Sequence, residues 1–172
     1  MPDTRNNPVK RGPDAPYRRR ERRSRLASEC YQGFGRYFVT ICTEGKKSML
    51  TSAQTIKPIL TAMYDCAMKG GFRILAYCVM PNHIHMLVEA GREASDLEEY
   101  VRLFKQKTSY QYRHKSGTAL WQKGYYDHVL RKDEDSVEVT RYILSNPVRK
   151  GIVEDFVLYP WIGSEIFDVR VI

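Results

Sequence analysis

No window of the 172-residue sequence approaches the ~20 continuous apolar residues of a membrane-spanning helix, so no transmembrane segment is expected. Cysteine is scarce. Its four residues, Cys30, Cys42, Cys66 and Cys78, form no CxxC pair and have no neighbouring histidine, which argues against a thiolate metal site and against a disulfide framework. They read as reduced packing residues of a cytosolic chain. An apolar stretch of the secretory type is missing from the N-terminus, and the arginines there lack the amphipathic spacing of a transit peptide. Internal repeats are absent as well. A chain of this length buries roughly 70% of its unfolded surface, so it needs neither disulfides nor a structural metal to fold as one domain.

Basic charge is abundant and unevenly placed. There are 28 Lys+Arg residues against 20 Asp+Glu, a formal net charge of +8. Residues 1–25 hold nine basic side chains, among them Arg18, Arg19, Arg20, Arg22 and Arg23, against three acidic ones, which places +6 in this stretch and +2 in the other 147 residues. The same stretch carries Pro2, Pro8, Pro13 and Pro16 and almost no aliphatic residues, so it has little surface to bury against the cost of chain entropy. We expect residues 1–30 to be a disordered basic arm, 31–165 the folded domain and 166–172 a tail. Such an arm suits the phosphates of nucleic acid, with counterion release as the driving term, or is a solvated tail.

From Arg36 the chain alternates, with Tyr37, Val39 and Ile41 on one face and Phe38, Thr40 and Cys42 on the other, which predicts a strand. Lys57 to Lys69 has helical spacing of Ile59, Leu60, Met63 and Ala67, Pro58 in its first turn, and Gly70-Gly71 as a stop. Phe72 to Met80 and His83 to Glu89 read as a hairpin about Pro81-Asn82. Ser95 and Glu98 have capping-box spacing at the head of a second helix that runs to about Arg113. Tyr125 to Leu130 is a short strand, and Asp135 to Ser145 a third helix ended by Pro147. The order β-α-β-β-α-β-α predicts an α+β fold: a split βαβ, ferredoxin-like or RRM-like antiparallel sheet with its helices on one face.

Two of the four histidines, His83 and His85, are separated only by Ile84. On a strand they point to the same face with side chains roughly 7 Å apart, close enough to converge on one divalent ion, while Ile84 points to the other layer. A pair of packed histidines has the same spacing. The surrounding phrase Tyr77-Cys78-Val79-Met80-Pro81-Asn82-His83-Ile84-His85-Met86-Leu87-Val88 delivers them by a tight turn onto a central, rigid strand. Two imidazoles leave a cation under-coordinated, so a further ligand is needed. Tyr142 and Asn146, four apart, share a helix face; the Asn146 amide oxygen can ligate, and the Tyr142 phenol is a candidate nucleophile beside a metal-bound phosphate or one of twelve tyrosines packing a helix on the sheet. Lys105, Lys107 and Arg113, interleaved with Tyr110 and Tyr112, form a candidate phosphate-and-stacking surface or a solvated helix face. Arg131 and Arg149 flank the third helix and can hold a DNA backbone. His128, beside Asp127, is a candidate for proton transfer or an ordinary surface histidine.

The phrase from Tyr77 to Val88 resembles the His-hydrophobic-His motif of the HUH endonuclease superfamily. Tyr142-Ile143-Leu144-Ser145-Asn146-Pro147-Val148-Arg149-Lys150-Gly151 resembles the motif that bears the tyrosine in its single-tyrosine transposases. Leu120-Trp121-Gln122-Lys123-Gly124-Tyr125-Tyr126-Asp127 and Tyr159-Pro160-Trp161 are similar to further blocks of the REP-associated tyrosine transposase branch, in the same order. The resemblance implies His83 and His85 as metal ligands and Tyr142 as the nucleophile on single-stranded DNA, leaving a 5′-phosphotyrosine and a free 3′-OH. It implies Mg²⁺ or Mn²⁺ as cofactor and hairpins of repetitive extragenic palindromes as partners. Where related insertion-sequence transposases have a glutamine ligand, this chain has Asn146, one methylene shorter. The protein is expected to be cytoplasmic, nucleoid-associated when bound to DNA, away from membranes, and a monomer or homodimer. The alternative is a non-catalytic regulator that binds DNA or RNA hairpins with the same fold; a nuclease in which water attacks is a third possibility.

Overall fold

Alternation sorts the strand side chains into two layers, and the computed structural model, which describes residues 28–131 and 135–172, shows both layers covered. Strands β1 (Gly35–Cys42), β2 (Phe72–Met80), β3 (His83–Ala90), β4 (Tyr126–Val129) and β5 (Ile162–Gly163) form one sheet in the order β4-β1-β3-β2-β5. Every pairing is antiparallel. With α1 (Ala53–Gly70) and α2 (Leu97–Ser116), the first four strands make the expected split βαβ arrangement, and β5 adds to the β2 edge.

On one face Val39, Ile41, Ile84, Met86 and Val88 pack against Ile56, Ile59 and Met63 of α1 and Tyr100 and Phe104 of α2. On the other, Phe38, Leu75, Cys78, Met80 and Leu87 pack against Val139 and Ile143 of α3 (Ser136–Leu144) and against Tyr159. The expectation of helices on one face alone is therefore corrected. Every β2 residue except Arg73 is buried, and an apolar run of that kind needs cover on both sides.

Local chemistry sets the element ends. Helix α1 starts a turn earlier than expected because Ser52 caps it, accepting from the Thr55 N–H; Pro58 then lies inside the helix, which forgoes one backbone bond. Gly71 closes it at φ 73°, where a Cβ would meet Arg92 Cδ at 2.7 Å. The Ser95–Glu98 capping box does not form. Ser95 is buried with its hydroxyl donating to Gly71 O (3.2 Å), and Asp96 caps α2 instead, accepting from Glu99 N–H at 3.0 Å. Helix α2 extends past Arg113 to Ser116, where Gly117 ends it. Pro147 bends the chain without stopping it: the helical path breaks at Ser145 and resumes as α4 (Asn146–Arg149). Cys42, Cys66 and Cys78 are buried as expected, but Cys30 is exposed, because Tyr31 takes the buried place in that turn. No helix among the described residues is long and apolar enough to cross a membrane. Residues 1–27 of the basic arm, including Arg18, Arg19, Arg20, Arg22 and Arg23, lie outside the described residues.

A bulge in β2 between Ile74 and Ala76 shifts its register against β3 and puts Leu75 and Ala76 together on the α3 side. Beyond it Cys78 pairs with His85 and Met80 with His83. The other edge of β2 is closed by the final block of the chain. Tyr159 Oη donates to Val79 O at 2.8 Å, and Val79 N–H to Trp161 O at 2.8 Å.

Candidate active site

The period of two along central strand β3 puts His83, His85 and Leu87 on the α3 side and sends Ile84 and Met86 into the opposite core. The two Nε2 atoms approach to 3.0 Å. Each ring is held from behind. His83 Nδ1 lies 2.6 Å from Asn82 Oδ1, and His85 Nδ1 lies 2.8 Å from Thr40 Oγ1 on the paired strand β1. Phe38 stacks on the His85 ring at 5.3 Å between centroids. Burial pushes His83 down to about 4, with Lys150 and Lys46 adding to the effect, and pushes His85 down to about 3, with His83 and Arg149 contributing. Both imidazoles are therefore neutral near pH 7, the form that binds cations.

This donor pair fits a divalent metal. Two nitrogens at about 2.1 Å from an ion and at right angles to each other stand about 3.0 Å apart, which is the separation found here. Ring nitrogens held on the far side by hydrogen bonds to oxygen are the usual supports of metal-binding histidines. Among the described residues no group of three His, Cys, Asp or Glu side chains comes together, so the further ligands they can offer this pair are amide, hydroxyl, phenol or backbone oxygens.

Tyr142 reaches the same place from α3. Its ring centroid lies 6.5 Å from that of His85 and 6.2 Å from that of Phe38, and the Arg149 guanidinium sits over the ring at 4.5 Å. One chain thus holds the His pair and the tyrosine side by side. Asn146 is buried four residues on, with Nδ2 donating to Tyr142 O (2.8 Å) and Ile143 O (3.2 Å). The amide nitrogen thereby covers the open carbonyls at the break between α3 and α4, and the oxygen, the atom able to ligate, is left out of those bonds.

The other candidates are dispersed. Lys105, Lys107 and Arg113 belong to α2, in the layer opposite the histidines. The Lys105 ammonium donates to Gln122 O and Gly124 O at 3.0 and 2.6 Å, so it fastens the loop before β4; Lys107 pairs with Asp65 of α1 at 2.7 Å. Arg131 is exposed just past β4. Along β4, His128 pairs with Phe38 and Tyr126 with Thr40. Sequence reading missed Thr40, whose signal was a hydroxyl in the Phe38–Cys42 series, and Lys46, which shares with Lys150 an electrostatic influence on His83. Lys46 has φ 55°, the one positive φ of a non-glycine among the described residues, and its carbonyl accepts from Asn82 Nδ2 at 3.3 Å.

Known proteins resemble this chain in sequence and in fold. The REP-associated tyrosine transposase of Escherichia coli K12 is 26% identical over 128 residues, covering 74% of each chain. A Haemophilus influenzae protein provisionally named in the same group is 29% identical over 137 residues, covering 70% of this chain and 74% of its own. A solved REP-associated tyrosine transposase bound to a REP hairpin has the same fold, with a TM-score of 0.65 and 23% identity over 84% of this chain and 82% of that one. Residues 33–146, which run from the approach to β1 through Asn146, match the family model "Transposase IS200 like", and the chain belongs to that transposase family.

Proposed function

We propose that the protein is a metal-dependent single-stranded DNA endonuclease and strand transferase that cuts at or near palindromic hairpin repeats through a covalent 5′-phosphotyrosine on Tyr142. The observation that carries this reading is the meeting of Tyr142 with the converging Nε2 atoms of His83 and His85 in one chain. A nucleophile, two neutral imidazoles and the cations Arg149, Lys150 and Lys46 share the site, a setting made for a phosphodiester. The likeness to a transposase bound to a REP hairpin supports a hairpin as partner.

In the proposed reaction the Tyr142 phenol oxygen attacks phosphorus and loses its proton to solvent. The new Oη–P bond replaces the P–O3′ bond, and the departing 3′ oxygen takes up a proton. Attack of a second 3′-OH on the phosphotyrosine reverses these bond changes and joins strands, so the exchange of phosphoesters needs no nucleotide cofactor. His83 and His85, with Asn146 as the proposed third ligand, would hold Mg²⁺ or Mn²⁺, which when bound would supply positive charge to offset that on the scissile phosphate. Arg149, stacked on the tyrosine, fixes the ring and adds positive charge beside the attacking oxygen.

A labelled hairpin oligonucleotide incubated with the protein and Mn²⁺ is expected to give an adduct stable to denaturant, absent in Tyr142→Phe. His83→Ala is expected to abolish cleavage and to leave hairpin binding largely intact. An adduct in Tyr142→Phe equal to wild type removes the nucleophile assignment. Cleavage without any protein-linked product indicates attack by water, and hairpin binding with no cleavage indicates a regulator.

A further inference from the structure

Resting on the reading of the histidine pair as cation ligands, we propose that His83 is locked in a single tautomer while His85 exchanges between two, with the Thr40 hydroxyl as the rotor that permits the exchange. Thr40 and Asn82 are then positioning residues of the site.

The lock follows from donors and acceptors. The Lys46 carbonyl can only accept, so the Asn82 atom 3.3 Å from it is the NH₂ group. The other end of that amide, facing His83 Nδ1 at 2.6 Å, is therefore oxygen, which also only accepts. His83 must carry its hydrogen on Nδ1 and present a lone pair on Nε2. The turn that supplies the Lys46 carbonyl is itself bolted together and to the hairpin: Thr43 Oγ1 donates to Lys47 O at 2.6 Å, Thr43 N–H to Asn82 O at 3.0 Å, and Leu50 N–H to Pro81 O at 2.8 Å. The positive φ of Lys46 is the backbone strain that this arrangement sustains.

His85 has no such constraint, because a hydroxyl both donates and accepts. Its Nε2 lies 3.0 Å from His83 Nε2, which presents the lone pair. Two lone pairs at that distance repel, so without a cation His85 Nε2 carries the hydrogen and donates it to His83, and His85 Nδ1 accepts from the Thr40 hydroxyl 2.8 Å away. To offer a lone pair to a cation, His85 Nε2 would have to give up that proton to solvent while Nδ1 takes one up. Thr40 turns its hydroxyl to accept from the new Nδ1–H. The proton count of the pair is unchanged. Because His85 is buried, water does not replace Thr40 in this role.

Long-range ¹H–¹⁵N spectra of the full chain, labelled at histidine, stripped with chelator and titrated with Mg²⁺ near pH 7, test the proposal directly. His83 is expected as the Nδ1–H tautomer throughout, and His85 as Nε2–H before Mg²⁺ and Nδ1–H after. Thr40→Val is expected to hold His85 as Nε2–H and to weaken Mg²⁺ binding by about 10- to 100-fold, with the His83 signals unchanged as the control for folding. Thr40→Ser restores both properties. His83 as Nε2–H, His85 as Nδ1–H before Mg²⁺, or Thr40→Val titrating like wild type overturns the proposal. Rings unmoved by Mg²⁺ in a protein that still forms the Tyr142 adduct overturn the switch alone; absence of the adduct as well overturns the reading of the site.

Discussion

Burial is the largest influence on the charge state of the two histidines, lowering His83 from 6.5 to about 4 and His85 to about 3, with cationic neighbours pushing the same way. In the unfolded chain both return to ordinary values. As pH falls below about 6.5 the unfolded chain binds protons that the folded chain refuses, so stability drops with falling pH until the folded rings protonate in turn. The expected loss is on the order of 2 kcal/mol for each histidine between neutrality and pH 5. Urea midpoints measured in chelator at pH 7 and pH 5 check this. A His83→Gln, His85→Gln double variant is expected to lose much less over that interval, since its amides do not titrate. An equal fall in the variant assigns the acid sensitivity to carboxylates elsewhere.

At the scale of elements, the site is a junction between a strand that the sequence makes rigid and a short helix that must be anchored. Arg36 of β1 ties the start of α3 to the sheet, donating to Ser136 Oγ at 2.6 Å while pairing with Glu89 at 3.2 Å. Strand β5 is seated just as tightly. A Cβ on Gly163 would stand 2.6 Å from the buried Tyr77 ring, which Tyr64 backs edge-on at 6.1 Å between centroids, so ring or strand must shift. Gly163→Ala is therefore expected to cost about 1–3 kcal/mol of unfolding free energy, measured by urea denaturation, with the His83–His85 geometry unaffected. The hairpin of β2 and β3 and the shared face of His83 and His85 were legible in the sequence, because period-two alternation and Pro81-Asn82 determine both locally. Thr40 was not, because its meeting with His85 depends on the register of β1 against β3, a pairing across 45 residues of chain. Nor was the placement of α3: alternation separates two faces without saying which helix covers which, although the unbroken apolar run of β2 showed that both faces need a cover. Lys105 misled for a related reason, since a lysine that satisfies loop carbonyls looks in sequence like one that awaits a phosphate.

For the whole molecule, charge is divided between two tasks. The net +8 splits into +6 on residues 1–25 and +2 on the remaining chain. A body so nearly balanced contributes little long-range attraction to DNA, yet Lys46, Arg149 and Lys150 place positive charge at the site, where the proposed reaction puts the phosphate. Affinity and its salt dependence should then follow the arm, and bond exchange should follow the body. Each phosphate neutralised on a single strand adds about 0.7 to the slope of log K against log salt. Removing residues 1–25, with their nine basic side chains, is expected to flatten that slope by up to about six and to raise the hairpin concentration needed for half-maximal cleavage. At saturating hairpin the truncated protein is expected to form the Tyr142 adduct at the rate of the full chain. Loss of that rate at saturation means that the arm helps to assemble the reacting complex and does more than collect DNA.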